Sequence, residues 1–488
     1  MKKYYLIGIN LILWINFSFS QTDSVLNSYQ KEFDQFKQSI EQEHEQFKNS
    51  NDSVFAKFLK DSWEDFDVFY NEKPKVPKPL VQPVVNENLE IEKPKPQQKV
   101  IDSLKSNISE PVKIEKKPEK KTPVKEPEHN GRAMLQFDFY GIDNNISNPG
   151  TLPFLPSITG QNISAYFDKT CNSSEITELL AQLKKAKTNL QLNDWGYYKL
   201  VERTAQAIET SQNRQILLTW LVLLKSGFNA KVGYSEDNIY LLLPTREEIF
   251  ATYYLTIDNV EYYIQSDNDK NKSIPSLKIH TANYPKNEML SLFIKKLPSL
   301  GINEVIHELT FQGKKIRVRQ NQTLKDFYDD YPLCDMDIYF SAPLSRQVKE
   351  SLAVHFNPLF VSKTEKQKVA LLLEFVQKAF EYKTDIEQFK KEKYFFPDDL
   401  FFYPYSDCED RSVLFTSLVR NFTNLECIAL DFPGHVNTAV RFTDETEGTL
   451  IAYNNKKYVV CDPTFANAPV GYLAPEYRNQ KPEIITFE

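Results

Sequence analysis

The chain has 488 residues, a formal net charge of −7, and 13% aromatic residues alongside only 13 glycines. That length accommodates two to four domains, and the mildly acidic balance leaves no electrostatic footprint for nucleic acid. Many rings and few glycines predict a large aromatic core.

The first twenty residues read as a secretory signal peptide. Lys2 and Lys3 precede an apolar run from Leu6 to Phe17, and Ser18 and Ser20 supply the small residues before a cut at Gln21. The apolar run is short for a membrane span, so the expected location is exported, either periplasmic or secreted to the cell surface. An uncleaved N-terminal anchor is the alternative reading of the same residues.

Residues 22–70 carry helical periodicity, with Leu26, Phe33, Ile40, Phe47 and Val54 recurring every seven residues. Tyr29 and Phe36 occupy matching sites, and Phe55 to Phe69 continue an apolar face. Such a helix would reach about 70 Å. Two partners suit it: a second copy of the chain in a coiled coil, or the protein's own globular part. From Lys73 to Gly131 the composition changes to Pro, Lys, Glu and Val, with ten of the 27 prolines and no aromatic residue. This predicts a semi-rigid, solvated spacer.

Globular patterning begins near Arg132, where Met134–Tyr140 alternates like a strand. Helices are predicted at 174–187, 196–210 and 213–226, then strands at 230–234, 239–243 and 261–265. A helix near 287–297 follows, with strands near 303–318 and 336–340 and helices at 345–355 and 364–382. An internal repeat is visible, since Asn213–Val222 can be laid over Asp410–Val419, with Ser211 at the place of Cys408 and Asn238 near that of His435. Either the middle region is a degenerate copy of the C-terminal one, or two helix-then-strands patterns coincide.

The C-terminal region carries the chemistry. Cys408 opens a helix in Tyr405-Ser406-Asp407-Cys408-Glu409-Asp410-Arg411-Ser412. His435 follows Pro433-Gly434, and Asp462 lies in Cys461-Asp462-Pro463-Thr464. A cysteine attacks a carbonyl only as thiolate, which the positive end of a helix favours. His435 is the candidate base and acid, and Asp462 the group that orients its ring. Backbone N–H groups at the helix start are candidates for the oxyanion site. Each residue alone also has a plain reading: a buried inert thiol, a turn histidine, and an aspartate before proline in a turn. Their joint order and placement point to a nucleophile, a base and an orienting acid.

These residues resemble the motifs of the transglutaminase-like superfamily, which shares the papain-like cysteine fold. Asp407-Cys408-Glu409-Asp410 resembles its nucleophile helix start, Gly434-His435-Val436 its G-H strand start, and Cys461-Asp462-Pro463-Thr464 its D-P-T motif. The match spans roughly residues 345–475. The resemblance implies an α+β fold, with Cys408, His435 and Asp462 as the triad and Asp410 serving the helix start. It departs from the simplest family pattern because 27 residues separate His435 from Asp462. Thr449–Tyr453 must then form an extra strand off to one side.

The chain therefore divides into a signal peptide (1–20), a helical or coiled-coil segment (21–72), a linker (73–131), an α+β domain that is a candidate degenerate copy (132–285), a connecting α/β region (286–344) and a transglutaminase-like catalytic domain (345–488). The expected function is an exported cysteine peptidase or amidase acting on a protein or peptide substrate through a thioester. The alternatives are acyl transfer from glutamine to an amine, and a catalytically silent envelope scaffold. An envelope partner on the N-terminal helix, or self-association, would suit the remainder. With five cysteines at 171, 334, 408, 427 and 461, at least one is unpaired in an exported chain, and Cys408 is the choice for it. Pairing among the other four stays open. No metal spacing, calcium-type acidic cluster, phosphate loop or organic cofactor motif is apparent.

Overall fold

The computed structural model describes Val68, Phe69, Lys75 and residues 134–265, 276–280 and 288–487. The expected signal peptide, most of the 21–72 segment and nearly all of the linker lie outside the described residues. Two expectations change where these segments are described. Val68–Phe69 is a short strand, β1, rather than the end of a helix. Lys75 is not a free spacer residue, because its ammonium meets Glu248 at 2.8 Å and Glu261 at 2.7 Å.

The alternating run after residue 133 forms a hairpin, β2 (Met134–Phe139) and β3 (Ile142–Ser147). Four helices follow: α1 (Gly160–Cys171), α2 (Ser174–Asn189), α3 (Asp194–Ile208) and α4 (Gln212–Ser226). The side chains of Thr159, Ser173 and Asn193 cap the first three, each accepting from a first-turn N–H. Gly227, with φ 109°, ends α4. Strands β4 (Lys231–Tyr234), β5 (Ile239–Pro244), β6 (Tyr254–Ile257), β7 (Val260–Gln265) and β8 (Leu277–His280) then build an antiparallel sheet in the order β1-β8-β4-β5-β7-β6.

The helix expected near 287–297 is not formed where the chain is described. Glu288 and Leu290 instead bridge to Phe228 and Thr245 beside the sheet. Hairpin β9 (Glu304–Phe311) and β10 (Lys314–Asn321) follows, then α5 (Gln322–Asp329). The strand expected at 336–340 is a short helix, α6 (Met336–Ser341), which buries Ile338, Tyr339 and Phe340 together. Helices α7 (Arg346–Phe360) and α8 (Glu365–Ala379) follow as expected.

The C-terminal part continues through β11 (Glu381–Tyr382), α9 (Asp385–Phe389) and β12 (Tyr405–Ser406) to α10 (Cys408–Thr423). Strands β13 (Glu426–Phe432), β14 (His435–Arg441), β15 (Leu450–Tyr453), β16 (Lys456–Cys461) and β17 (Glu483–Ile485) then form a second antiparallel sheet, in the order β15-β16-β14-β13-β17. One core joins the β9–β10 hairpin to α7, α8 and α10, with Phe311, Val318, Phe356, Phe375, Phe401 and Phe415 inside it. The ring-rich core expected from composition is found here.

The architecture is α+β with two curled sheets. The two share one topology. In each, a helix leads into a hairpin (β4–β5, β13–β14). The second hairpin (β6–β7, β15–β16) folds back so that its last strand lies beside the first hairpin. A late strand (β8, β17) closes the other side. The segment at 449–453 is indeed a side excursion: β15 takes the sheet edge and β16 pairs with β14.

Candidate active site

This strand order decides where Asp462 falls. β14 and β16 are antiparallel with Thr438 opposite Cys461, so the start of β14 and the end of β16 share one end of the sheet. His435 is the first residue of β14, and Asp462 directly follows β16. Their side chains meet, with His435 Nε2 and Asp462 Oδ2 at 2.7 Å and both residues fully buried. The amide of Asn437, two positions along β14, also donates to that oxygen at 3.3 Å. The other oxygen of Asp462 accepts from the backbone N–H of Thr464 at 2.9 Å. Gln377 on α8 donates to the backbone carbonyl of Asp462 at 2.9 Å.

Cys408 is the first residue of α10 and is also fully buried. The helix is held against the histidine strand by Ser412, whose hydroxyl donates to the carbonyl of Val436 at 3.0 Å. The thiol itself donates to Glu409 Oε2 at 3.4 Å. His435 Nδ1 makes no hydrogen bond of full geometry, yet the Cys408 thiol lies close enough to act on the ring as a hydrogen-bond partner. Burial alone would lower the His435 pKa, but the Asp462 carboxylate, and then Cys408, outweigh it and push the value up to about 10. Asp462 is held below the usual carboxylate range, because His435 and the Thr464 and Asn437 hydrogen bonds overcome the cost of its burial.

The structure thus brings Cys408, His435 and Asp462 to one end of the second sheet. It adds residues that sequence reasoning did not single out. Arg411 is buried one turn into α10 and donates to the hydroxyl of Ser406 at 3.0 Å and to the carbonyls of Phe380 at 2.8 Å and Thr464 at 3.4 Å. It therefore ties the cysteine helix to the loop after Asp462. A basic residue between the acidic pair Glu409-Asp410 and the apolar run Val413–Phe415 was the available signal for it. Tyr477 packs over His435 from a turn near the C-terminus.

No calcium-type acidic cluster was apparent in the sequence, but the fold gathers carboxylates that are distant along the chain. Asp385 from α9 and Glu392 from the loop after it converge on Asp407, Glu409 and Asp410 at the start of α10. Asp410, expected to serve only the helix start, accepts from the backbone N–H of Phe395 and belongs to this group. Burial, and then the charge of Asp407, push Asp385 up to about 9 and hold Glu409 and Asp410 well above the usual carboxylate range. All five cysteines are free and buried.

A cleft of about 1360 Å³ lies nearby, lined by Tyr198, Asn213, Asn238 and Gln265 from the middle region and by Tyr394 and Phe396 from the C-terminal part. Among the described residues no helix is long and apolar enough to cross a membrane. Comparison with protein-family models, curated proteins and solved structures finds no match to this chain.

Proposed function

We propose that the chain is an exported, transglutaminase-like cysteine hydrolase with a papain-type catalytic domain, acting on amide bonds of a protein or peptide substrate. The observation that carries this reading is the buried 2.7 Å pair of His435 Nε2 and Asp462 Oδ2, with Cys408 acting on the same imidazole. One ring nitrogen is fixed, and the other remains available to exchange a proton with the thiol.

In this mechanism the Cys408 thiol turns from Glu409 and loses its proton to solvent, so that the thiolate pairs with His435, which Asp462 keeps protonated. The thiolate attacks the substrate carbonyl carbon, and the oxyanion forms near the positive end of α10. The imidazolium then protonates the leaving nitrogen as the C–N bond breaks, leaving a thioester on Cys408. Water attacks the thioester and loses a proton to His435. The tetrahedral adduct expels the Cys408 thiolate, the acid departs, and the thiolate–imidazolium pair is restored. Asp462 keeps the ring oriented throughout.

Acyl transfer to an amine is the second reading. Full burial of Cys408, His435 and Asp462 favours it, because a thioester shielded from water survives until an amine arrives. The two are separated by incubating the protein with an unfolded glutamine-containing protein and a fluorescent amine. Hydrolysis gives new termini or free ammonia and no dye on the substrate. Transfer gives dye incorporation. Neither product, in wild type as in Cys408→Ala, would leave the scaffold reading.

A further inference from the structure

We propose that the cleft shared by the middle region and the C-terminal part binds an extended polypeptide segment carrying lysine or arginine. As a substrate site it rests on the hydrolase reading; as a binding site it stands alone. Its size points to a polymer. At about 1360 Å³ the cleft exceeds the roughly 300–1,000 Å³ usual for a small-molecule pocket.

Its charge points to a cationic one. Seven acidic residues line the cleft against three lysines and no arginine. Two of those lysines are already engaged, Lys199 by Glu202 and Lys393 by Asp329, while Asp330 pairs with Arg203. Glu236 and Asp237, at the exposed turn between β4 and β5, have no ion pair among the described residues. The surplus is therefore negative and lies where solvent and ligand reach it, so a basic chain gains there and a neutral one does not.

The uncharged lining separates a peptide from a sugar chain. Gln206 and Asn238 present exposed side-chain amides without a hydrogen-bond partner among the described residues. Each carries a donor and an acceptor, matching the N–H and C=O of a peptide group. Tyr240 and Tyr253 are half-buried and make no ring contact among the described residues, so each can take the stem or the ammonium of a lysine. The more buried rings are engaged by one another. Phe396 stacks on Tyr328 at 4.2 Å, and Trp195 meets Tyr198 at 5.0 Å and Tyr331 at 5.9 Å. They build a wall rather than open platforms for sugar rings.

The cleft also adjoins the catalytic part of the molecule. Tyr394 and Phe396 line it on either side of Phe395, whose backbone N–H donates to Asp410 Oδ1 at 3.0 Å on the helix that begins at Cys408. A chain held in the cleft thus lies against a segment fastened to the nucleophile's helix.

The test uses the full chain as Cys408→Ala, so that no probe is consumed, and follows the fluorescence anisotropy of a labelled peptide of Lys-Val-Ala-Gln repeats. The expected result is saturable binding at low salt with a Kd below about 100 µM, weakening as salt is raised. Glu236→Lys combined with Asp237→Lys should weaken it by about tenfold or more. Lys391→Glu, an exposed change in the C-terminal lining, should tighten it about threefold, and it provides the check if the double variant does not fold. Glu445→Lys, exposed and outside the lining, should leave binding unchanged. Absence of saturable binding would overturn the proposal, as would unchanged binding in both cleft variants. Equal binding of a peptide with Glu in place of each Lys, or of a chitin oligosaccharide, would overturn it too. A loss in Glu445→Lys as large as in the double variant would show a general charge effect and do the same. Binding is read without the thiol, so this site can fail while the hydrolase reading stands, and the reverse.

Discussion

Tyr477 lies against His435, with ring centroids 5.0 Å apart and planes 24° from parallel, while Phe465 meets the same imidazole edge-on at 5.6 Å. The tyrosine sits in a 3₁₀ turn, Pro475–Tyr477, between the loop after Asp462 and strand β17, which pairs with β13. The cap is therefore tethered at both ends. Cys408 and His435 are fully buried, and this turn forms one wall of their enclosure.

Removing the ring should loosen that enclosure. Tyr477→Ala should speed modification of Cys408 by N-ethylmaleimide about tenfold, the equivalent of roughly 1.4 kcal/mol of easier opening. Tyr477→Phe should leave the rate near wild type, since the contact is made by the ring face. Equal rates for wild type and the alanine variant would show that access runs elsewhere.

The His435–Asp462 pair makes a pH-dependent contribution to stability whose sign is fixed by the two shifts. His435 is pushed up to about 10 in the folded protein, against roughly 6.5 when unfolded. Its contribution is complete below about 6.5 and is lost as pH rises toward 10. Asp462 is lowered, so its contribution is present above about 3.8 and is lost as pH falls through the still lower folded value. Asp462→Asn should therefore cost most between about pH 4 and 6.5 and progressively less toward pH 10. Urea midpoints at pH 5, 7 and 10 provide the check. A cost independent of pH would mean that the pair is not ionic.

Arg411 is held by three acceptors on three different segments. Burial first, opposed by Tyr382 and Asp407, leaves its pKa at about 10, so it stays charged near neutrality. Arg411→Ala strands those acceptors and removes a buried cation beside acidic groups, which should cost roughly 3 kcal/mol. Urea unfolding measures this, and a loss under about 0.5 kcal/mol, the range typical of surface substitutions, would rule out the tie.

Gly471 approaches Gly448 so closely that an added Cβ would lie 2.5 Å from the Gly448 Cα, and its φ is 94°. Gly150 also has positive φ, 79°, but a Cβ there meets nothing within 4 Å. Gly471→Ala should therefore destabilise by roughly 2 kcal/mol more than Gly150→Ala. Equal losses would show that the backbone contact gives way cheaply.

Much of the local structure was legible because periodicity and packing agree. The helices at 174–189 and 346–379 and the strands at 231–244 follow their apolar patterns. Met336–Ser341 misled because Ile338, Tyr339 and Phe340 are strand formers, whereas one helical turn buries all three. Helix α1 was missed because its core positions, Ile163, Tyr166 and Thr170, lie among weak helix formers. For the site, motif order brought out Cys408, His435 and Asp462. That Asp462 reaches His435 depends on β16 rather than β15 lying next to β14, which chain order alone leaves open. The acidic cluster was hidden for a similar reason. Asp385 and Asp407 stand far apart in the chain and meet only through the fold.

The central claim is that Cys408 is a nucleophile served by His435. The most direct measurement is labelling of the full chain with a thiol-reactive activity probe near neutral pH, mapped by mass spectrometry in wild type, Cys408→Ala and His435→Ala. The account predicts that Cys408 is labelled ahead of Cys171, Cys334, Cys427 and Cys461, that the label disappears in Cys408→Ala, and that it falls sharply in a folded His435→Ala. Preferential labelling of another cysteine, or undiminished labelling of Cys408 in His435→Ala, would contradict it.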